Sequence, residues 1–183
     1  MTGADSFAEP FNVHQACVII PTYNNAATLG RVIEDVALFT HNIVVVNDGS
    51  TDNTIDIVQG FAFVKLITYD QNVGKGWALR KAFSYAFEAG YQFAISIDSD
   101  GQHFASDLPV FLNKLAETPN AVIIGSRNMN QASVPGGSSF GHKFSNFWFK
   151  VETGISCPDT QSGYRLYPLA PLQKMKFVTK KYE

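Results

Sequence analysis

Ile95-Ser96-Ile97-Asp98-Ser99-Asp100-Gly101-Gln102-His103 carries a short β-branched run into two carboxylates one residue apart, then into glycine, glutamine and histidine. Side chains alternate along a strand, so Asp98 and Asp100 project the same way if the strand continues through them. Two carboxylates held together repel, and a hard divalent cation, itself bound to phosphates, removes that repulsion. Gly101 lets the chain turn sharply and bring the Gln102 oxygen to the same ion. A D-x-D pair alone also fits a strand-to-turn junction with acidic caps, so the surrounding sequence has to decide.

Outward from that stretch, short apolar runs alternate with amphipathic ones. Strands are expected at Cys17–Ile20, Ile43–Val46, Val64–Thr68, Phe93–Ile97, Ala121–Ile124 and around Tyr164–Tyr167. The first, second and fourth are almost continuously apolar, as in strands covered on both faces. Between them, Ala26–Phe39 carries Leu29, Val32, Ile33, Val36 and Ala37 at helical spacing. Gly74–Ala89 does the same with Leu79, Ala82, Phe83, Ala86 and Phe87, and Gly90 suits the helix end. Ser106–Glu117 reads as a shorter helix with Pro109 near its start. This alternation predicts an α/β fold with a mostly parallel central sheet and helices on both faces. No internal repeat or low-complexity linker interrupts it.

Composition excludes several classes. A 45% hydrophobic, 16% charged chain of 183 residues folds, and as one domain. Its net charge of −2 lacks the basic excess of a dedicated nucleic-acid binder. Cys17 and Cys157 form no C-x-x-C pair, so neither a structural zinc site nor a disulfide framework is expected. No apolar run reaches the roughly 18 residues of a spanning helix. Met1–Gln15 has no basic start followed by an apolar block, so a cytoplasmic protein is expected.

Open α/β sheets bind ligands beyond the carboxyl ends of their strands. The polar oddities of this chain all fall there: P-T-Y-N-N from Pro21, N-D-G-S-T-D from Asn47, D-Q-N-V-G-K-G from Asp70, the D-x-D segment, and Gly125-Ser126-Arg127. Any one could be a capping loop, with Ser50, Thr51 or Asp52 as a helix N-cap. Five on one edge predict a site. Tyr23 offers a flat face for a base, and Asp48 an acceptor for a base or ribose. Gly74-Lys75-Gly76 presents N–H groups and a cation at a helix start, an anion site if Lys75 is not simply solvated. The spacing is not that of a G-x-x-x-x-G-K-[ST] loop. Arg127 follows a strand where it can meet a phosphate or carboxylate.

Together with D-T-Q-S-G-Y-R-L-Y at Asp159–Tyr167, these motifs resemble the family 2 glycosyltransferases of GT-A fold. The group they are most similar to is that of the dolichyl-phosphate and polyprenyl-phosphate mannosyltransferases. The resemblance runs from Cys17 to Tyr167. It implies that Pro21, Tyr23 and Asp48 line a nucleoside pocket, with Asp98 near the ribose and diphosphate of a GDP- or UDP-sugar; Asn25 and Lys75 are expected at the same donor site. It implies Mg²⁺ or Mn²⁺ on Asp98, Asp100 and Gln102, and phosphates of donor or acceptor facing Arg127 and Arg165. Two positions depart from the pattern. Asn25 stands where the group often has Glu, and Asn47 replaces the first Asp of D-D-G-S, so base and sugar are not carried over. The related enzymes continue beyond Lys180-Lys181-Tyr182-Glu183. The expectation is an N-terminal extension over residues 1–15 and a C-terminally shortened GT-A catalytic domain over 16–183.

A metal-bound nucleoside diphosphate is a competent leaving group, and the acceptor would then attack the anomeric carbon from the opposite face. A hydroxyl acceptor needs a carboxylate base, whereas a polyprenyl phosphate is already ionised. Asp159 is either such a base or an orienting partner of Arg165. Along Ser138–Val151, Phe140, Phe144, Phe147, Trp148 and Val151 share one helical face, and Ser139, Lys143, Asn146 and Lys150 another. The aromatic face fits either the core or a membrane interface, where the resemblance puts a lipid-phosphate acceptor at the inner membrane face. A saccharide-hydroxyl transferase of the same fold and a non-catalytic nucleotide-sugar binding module are the alternatives. A haloacid-dehalogenase-type phosphatase would carry its D-x-D after the first strand. A sugar nucleotidylyltransferase would have a glycine-rich loop in place of P-T-Y-N-N.

Overall fold

β-Branched residues make the sheet and alanines let the helices approach it. The computed structural model describes residues 9–126, 146, 149–151, 154–157 and 159–175. Residues 9–13 form a helical segment (α1) that leads into β1 (Ala16–Thr22), and α2 (Ala26–Ala37) follows. Then come β2 (Ile43–Asp48), α3 (Thr54–Gln59), β3 (Val64–Tyr69), α4 (Lys75–Glu88) and β4 (Phe93–Ser96). A 3₁₀ turn at Ala105–Asp107 opens α5 (Leu108–Glu117), and β5 (Ile123–Ile124), β6 (Arg165–Pro168) and a helical turn at Leu169–Leu172 complete the described chain. The six strands lie in the order β3-β2-β1-β4-β6-β5. β1 pairs in parallel with β2 and β4, and β2 with β3, while β6 is antiparallel to both β4 and β5.

All six expected strands are present, and β1 and β2 are buried throughout, as their apolar runs predict. Alternation divides their side chains between two cores. Val18 and Ile20 join Leu29, Val32 and Ile33 of α2 and Leu108, Phe111 and Leu112 of α5. Cys17 and Ile19 face the other way, onto Ala78, Ala82, Phe83 and Ala86 of α4. Burial pushes the Cys17 thiol up to about 12, which leaves it an inert core group. The small residues at 78, 82 and 86 recur every four positions and let α4 lie close against β1 and β2. Phe87, expected on the buried face, is 43% exposed at the end of that helix.

Two elements differ from expectation. Helix α3 follows the Asn47–Asp52 loop and was not expected as an element, because its six residues are too few to show a period. At Ala121–Ile124 only Ile123 and Ile124 form a strand.

The chain leaves β1 towards β2 and β3, then returns to place β4 on the other side of β1. This reversal opens a crevice beyond the carboxyl ends of β1 and β4, the position where open α/β sheets bind ligands. Among the described residues no helix is long and apolar enough to cross a membrane.

Candidate active site

The crevice is a cavity of about 870 Å³, within the range of small-molecule sites. Pro21, Tyr23, Asn25, Asp48, Lys75, Asp98, Asp100 and Arg165 all line it, although they come from five separate stretches of chain. Arg127 lies outside the described residues.

Backbone turns hold the carboxylate pair, and strand alternation has no part in it. β4 ends at Ser96, so Asp98 and Asp100 lie beyond the strand, and Gly101 turns the chain with a φ of +76°. The segment is fastened to α2 on one side: Asn25 Nδ2 donates to Ser99 Oγ at 2.8 Å, and Thr28 Oγ1 donates to the Ser99 carbonyl at 2.7 Å. On the other side Ser96 Oγ donates to the Gly163 carbonyl at 2.6 Å. Asp98 is thereby pressed against the Gly163 backbone.

Asp98 Oδ1 meets Lys75 Nζ at 2.5 Å, and His103 Nε2 stands 3.8 Å from Oδ2, beyond direct hydrogen-bonding reach. Burial raises the Asp98 pKa, but the facing imidazole and the lysine charge outweigh it and bring it down to about 2. Lys75 is therefore not simply a solvated helix-start lysine. Asp100 is exposed, and its Oδ1 accepts the Gln102 N–H at 3.0 Å. The Gln102 side chain is exposed and does not line the cavity, so the expected third oxygen donor is not brought to the pair. Among the described residues no cluster of three or more His, Cys, Asp or Glu has metal-site spacing. The donors present, two hard carboxylates at an open cavity, fit a divalent ion that fills its remaining positions from a ligand.

Polar side chains of the loops after β1 and β2 also fasten the edge of the cavity. Asp48 is buried; its Oδ1 accepts the Val73 N–H at 2.9 Å and its Oδ2 the Gly74 N–H at 2.8 Å, so it shapes the turn into α4. Asn47 donates to Thr68 Oγ1 and accepts the Ser50 N–H, which explains a neutral amide at this buried position. Asn24, at φ +51°, accepts the Thr51 N–H at 2.8 Å, and Asp52 accepts the Ala26 N–H at 3.0 Å. Asp52 also accepts from the Thr54 hydroxyl, which lowers its pKa, and from the Thr54 N–H. It serves the first turns of both α2 and α3, while the α3 N-cap position belongs to Asn53.

Arg165 reaches the cavity from the start of β6. Its Nε and Nη2 donate to the carbonyls of Ser162 and Thr160 at 2.6 and 2.7 Å. Asp159 is fully buried, accepts the Gln161 N–H at 3.2 Å and does not line the cavity. In the aromatic stretch only Asn146, Phe149, Lys150 and Val151 are described. Asn146, expected on the polar outer face, accepts from both the N–H and the hydroxyl of Thr160 at 3.0 and 2.8 Å. The other aromatic positions lie outside the described residues.

The sequence reading passed over His103, Ser99 and the Thr160–Gly163 segment. Each sat inside a quoted motif, but only the fold shows which side chains in those motifs face Asp98. His103 also packs beside the Tyr164 ring, with centroids 5.0 Å apart.

The profile of Glycosyl transferase family 2 matches residues 17–174. The UDP-N-acetylglucosamine–dolichyl-phosphate N-acetylglucosaminyltransferase of Methanococcus voltae is 27% identical over 91% of this chain and 75% of its own. The undecaprenyl-phosphate mannosyltransferase of Micrococcus luteus is 30% identical over 81% of this chain and 64% of its own. Glucosyl-3-phosphoglycerate synthase from Mycobacterium tuberculosis, solved with Mn²⁺, UDP-glucose and phosphoglyceric acid, superposes with a TM-score of 0.74 at 16% identity. That superposition takes in 95% of this chain and 64% of the synthase, so the chain spans less than two thirds of that enzyme.

Proposed function

The chain belongs to glycosyl transferase family 2 and has the GT-A fold, and on that premise we propose that it moves a sugar from a nucleoside-diphosphate donor to a polyprenyl phosphate, with inversion at the anomeric carbon. The observation that carries this reading is the meeting of Tyr23, Lys75, Asp98, Asp100 and Arg165 on one cavity at the sheet's switch point. Tyr23 is 46% exposed and gives the base a face to stack on. Asp98 and Asp100 would hold Mg²⁺ or Mn²⁺, which supplies Lewis acidity to the departing diphosphate. Lys75 and Arg165 add fixed positive charge where the diphosphate's negative charge grows.

The acceptor side is argued from proton bookkeeping. Among the described residues, three carboxylates line the cavity. Both Asp48 oxygens accept backbone N–H groups, Asp98 pairs with Lys75, and Asp100 is the other proposed metal-binding acid. None is left to take a proton from a hydroxyl, and Asp159 is shut inside the protein. A phosphate monoester needs no base. Its oxygen forms the bond to the anomeric carbon as the bond to the diphosphate breaks, and no proton moves.

The test begins with calorimetric titration of GDP and UDP, each with and without Mn²⁺, on wild type and Asp100→Ala. Metal-dependent binding of one nucleotide, lost in the variant, identifies the donor base. Incubating the matching sugar nucleotide with a short polyprenyl phosphate should then release nucleoside diphosphate. Donor binding without turnover on any lipid phosphate would make the chain a binding module. Absence of metal-dependent binding to either nucleotide would end the transferase reading.

A further inference from the structure

A cation of the chain itself sits on the carboxylate that a metal would need. Lys75 Nζ lies 2.5 Å from Asp98 Oδ1 and bridges 23 residues of sequence. The carboxylate is confined. Its side chain is 24% exposed, Oδ2 faces His103, and the Gly163 backbone closes the wall behind it. Asp98 therefore has no free rotation by which to offer the metal a fresh oxygen while keeping Lys75. A dication and an ammonium on the same small carboxylate repel one another.

Lys75 is the more exposed partner. Its side chain is half exposed, at 50%, and it sits on the first residue of α4, directly after Gly74. A diphosphate in the cavity offers the ammonium several oxygens in place of one.

Resting on the proposed donor site, we infer that Lys75 is the free protein's own counter-ion at Asp98, and that it makes divalent metal and nucleotide bind as a pair. The diphosphate draws the ammonium away, Asp98 Oδ1 becomes available, and the metal enters. By linkage, metal then raises nucleotide affinity by the same factor as nucleotide raises metal affinity. His103 stays beside Oδ2 throughout and is not part of the exchange.

The experiment is Mn²⁺ binding, read from the free-ion electron paramagnetic resonance signal, for wild type, Lys75→Met and Lys75→Arg, without nucleotide and with GDP or UDP. Circular dichroism verifies that each variant is folded. Wild type alone should bind Mn²⁺ weakly, and Lys75→Met alone about tenfold more tightly, with a correspondingly smaller gain when nucleotide is added. Lys75→Arg keeps the charge and should stay as weak as wild type. Unchanged or weaker nucleotide-free Mn²⁺ binding in Lys75→Met overturns the inference, as does equal tightening in Lys75→Arg. If neither nucleotide binds wild type, the donor reading fails, while the nucleotide-free comparison still decides whether Lys75 holds the metal off.

Discussion

The Gly163 Cα stands against the carboxylate of Asp98 so closely that a Cβ at residue 163 would come within 2.6 Å of Oδ1 and nearer still to Oδ2. The contact joins the turn before β6 to the end of β4. Ser96 fixes its distance from below through the Gly163 carbonyl. Gly163→Ala should therefore displace Asp98 from Lys75 and from any bound ion. A misplacement of this kind costs about 100-fold in kcat/KM. Transfer kinetics and Mn²⁺-dependent nucleotide binding check it, and an alanine variant with unchanged values of both would refute the role.

Tyr23 is expected to bind through its ring and not its hydroxyl. Tyr23→Phe should keep donor affinity within about twofold, and Tyr23→Ala should weaken nucleotide binding about tenfold or more, the range of a lost base–aromatic stack. Calorimetry with the nucleotide identified in the donor test measures both. Equal losses in the two variants would point to the hydroxyl instead.

Acid should destabilise the metal-free protein through Asp98. Its pKa falls from 3.8 to about 2 on folding, so the native state binds this proton less readily than the unfolded chain. The resulting stability, about 2 kcal/mol, is present in full above the unfolded pKa and lost as pH drops through the folded one. Urea midpoints between pH 5 and 2 should show the fall, and Asp98→Asn should remove that part of it. Parallel curves for the two proteins would assign the acid sensitivity elsewhere.

Asp52 joins the loops after β1 and β2 through Ala26 and Thr54. Asp52→Ala removes the acceptor at two helix starts and should cost about 1–2 kcal/mol. Asp52→Asn keeps the geometry and should lose less. A thermal melt of each, compared with wild type, tests the order.

Runs such as Cys17–Ile20 and Ile43–Val46 were legible because a strand covered on both faces has nowhere to put a polar residue. The helix at Ala26–Ala37 was legible because one face must be apolar to meet the sheet. Helix α3 was not, since its one turn and a half carries no period. The site was legible as an edge. Every loop quoted from the sequence has at least one residue on the cavity except Gly125-Ser126-Arg127, whose arginine lies outside the described residues.

The sequence by itself determined the α/β layering, the strand succession and the collection of acids, amides and cations at one end of the sheet. Those properties depend on local periodicity and on the rule that polar groups gather where strands end. Only the tertiary structure decided which partner each side chain takes. Asp48 turned to the Val73 and Gly74 amides, Lys75 to Asp98, Asn25 to Ser99, and Asn146 to Thr160. The partners in these pairs are separated by 14 to 74 residues of sequence. Each choice is made by where two loops come to rest over a buried sheet, and a hydrogen bond is formed by whichever group arrives within 3 Å of another.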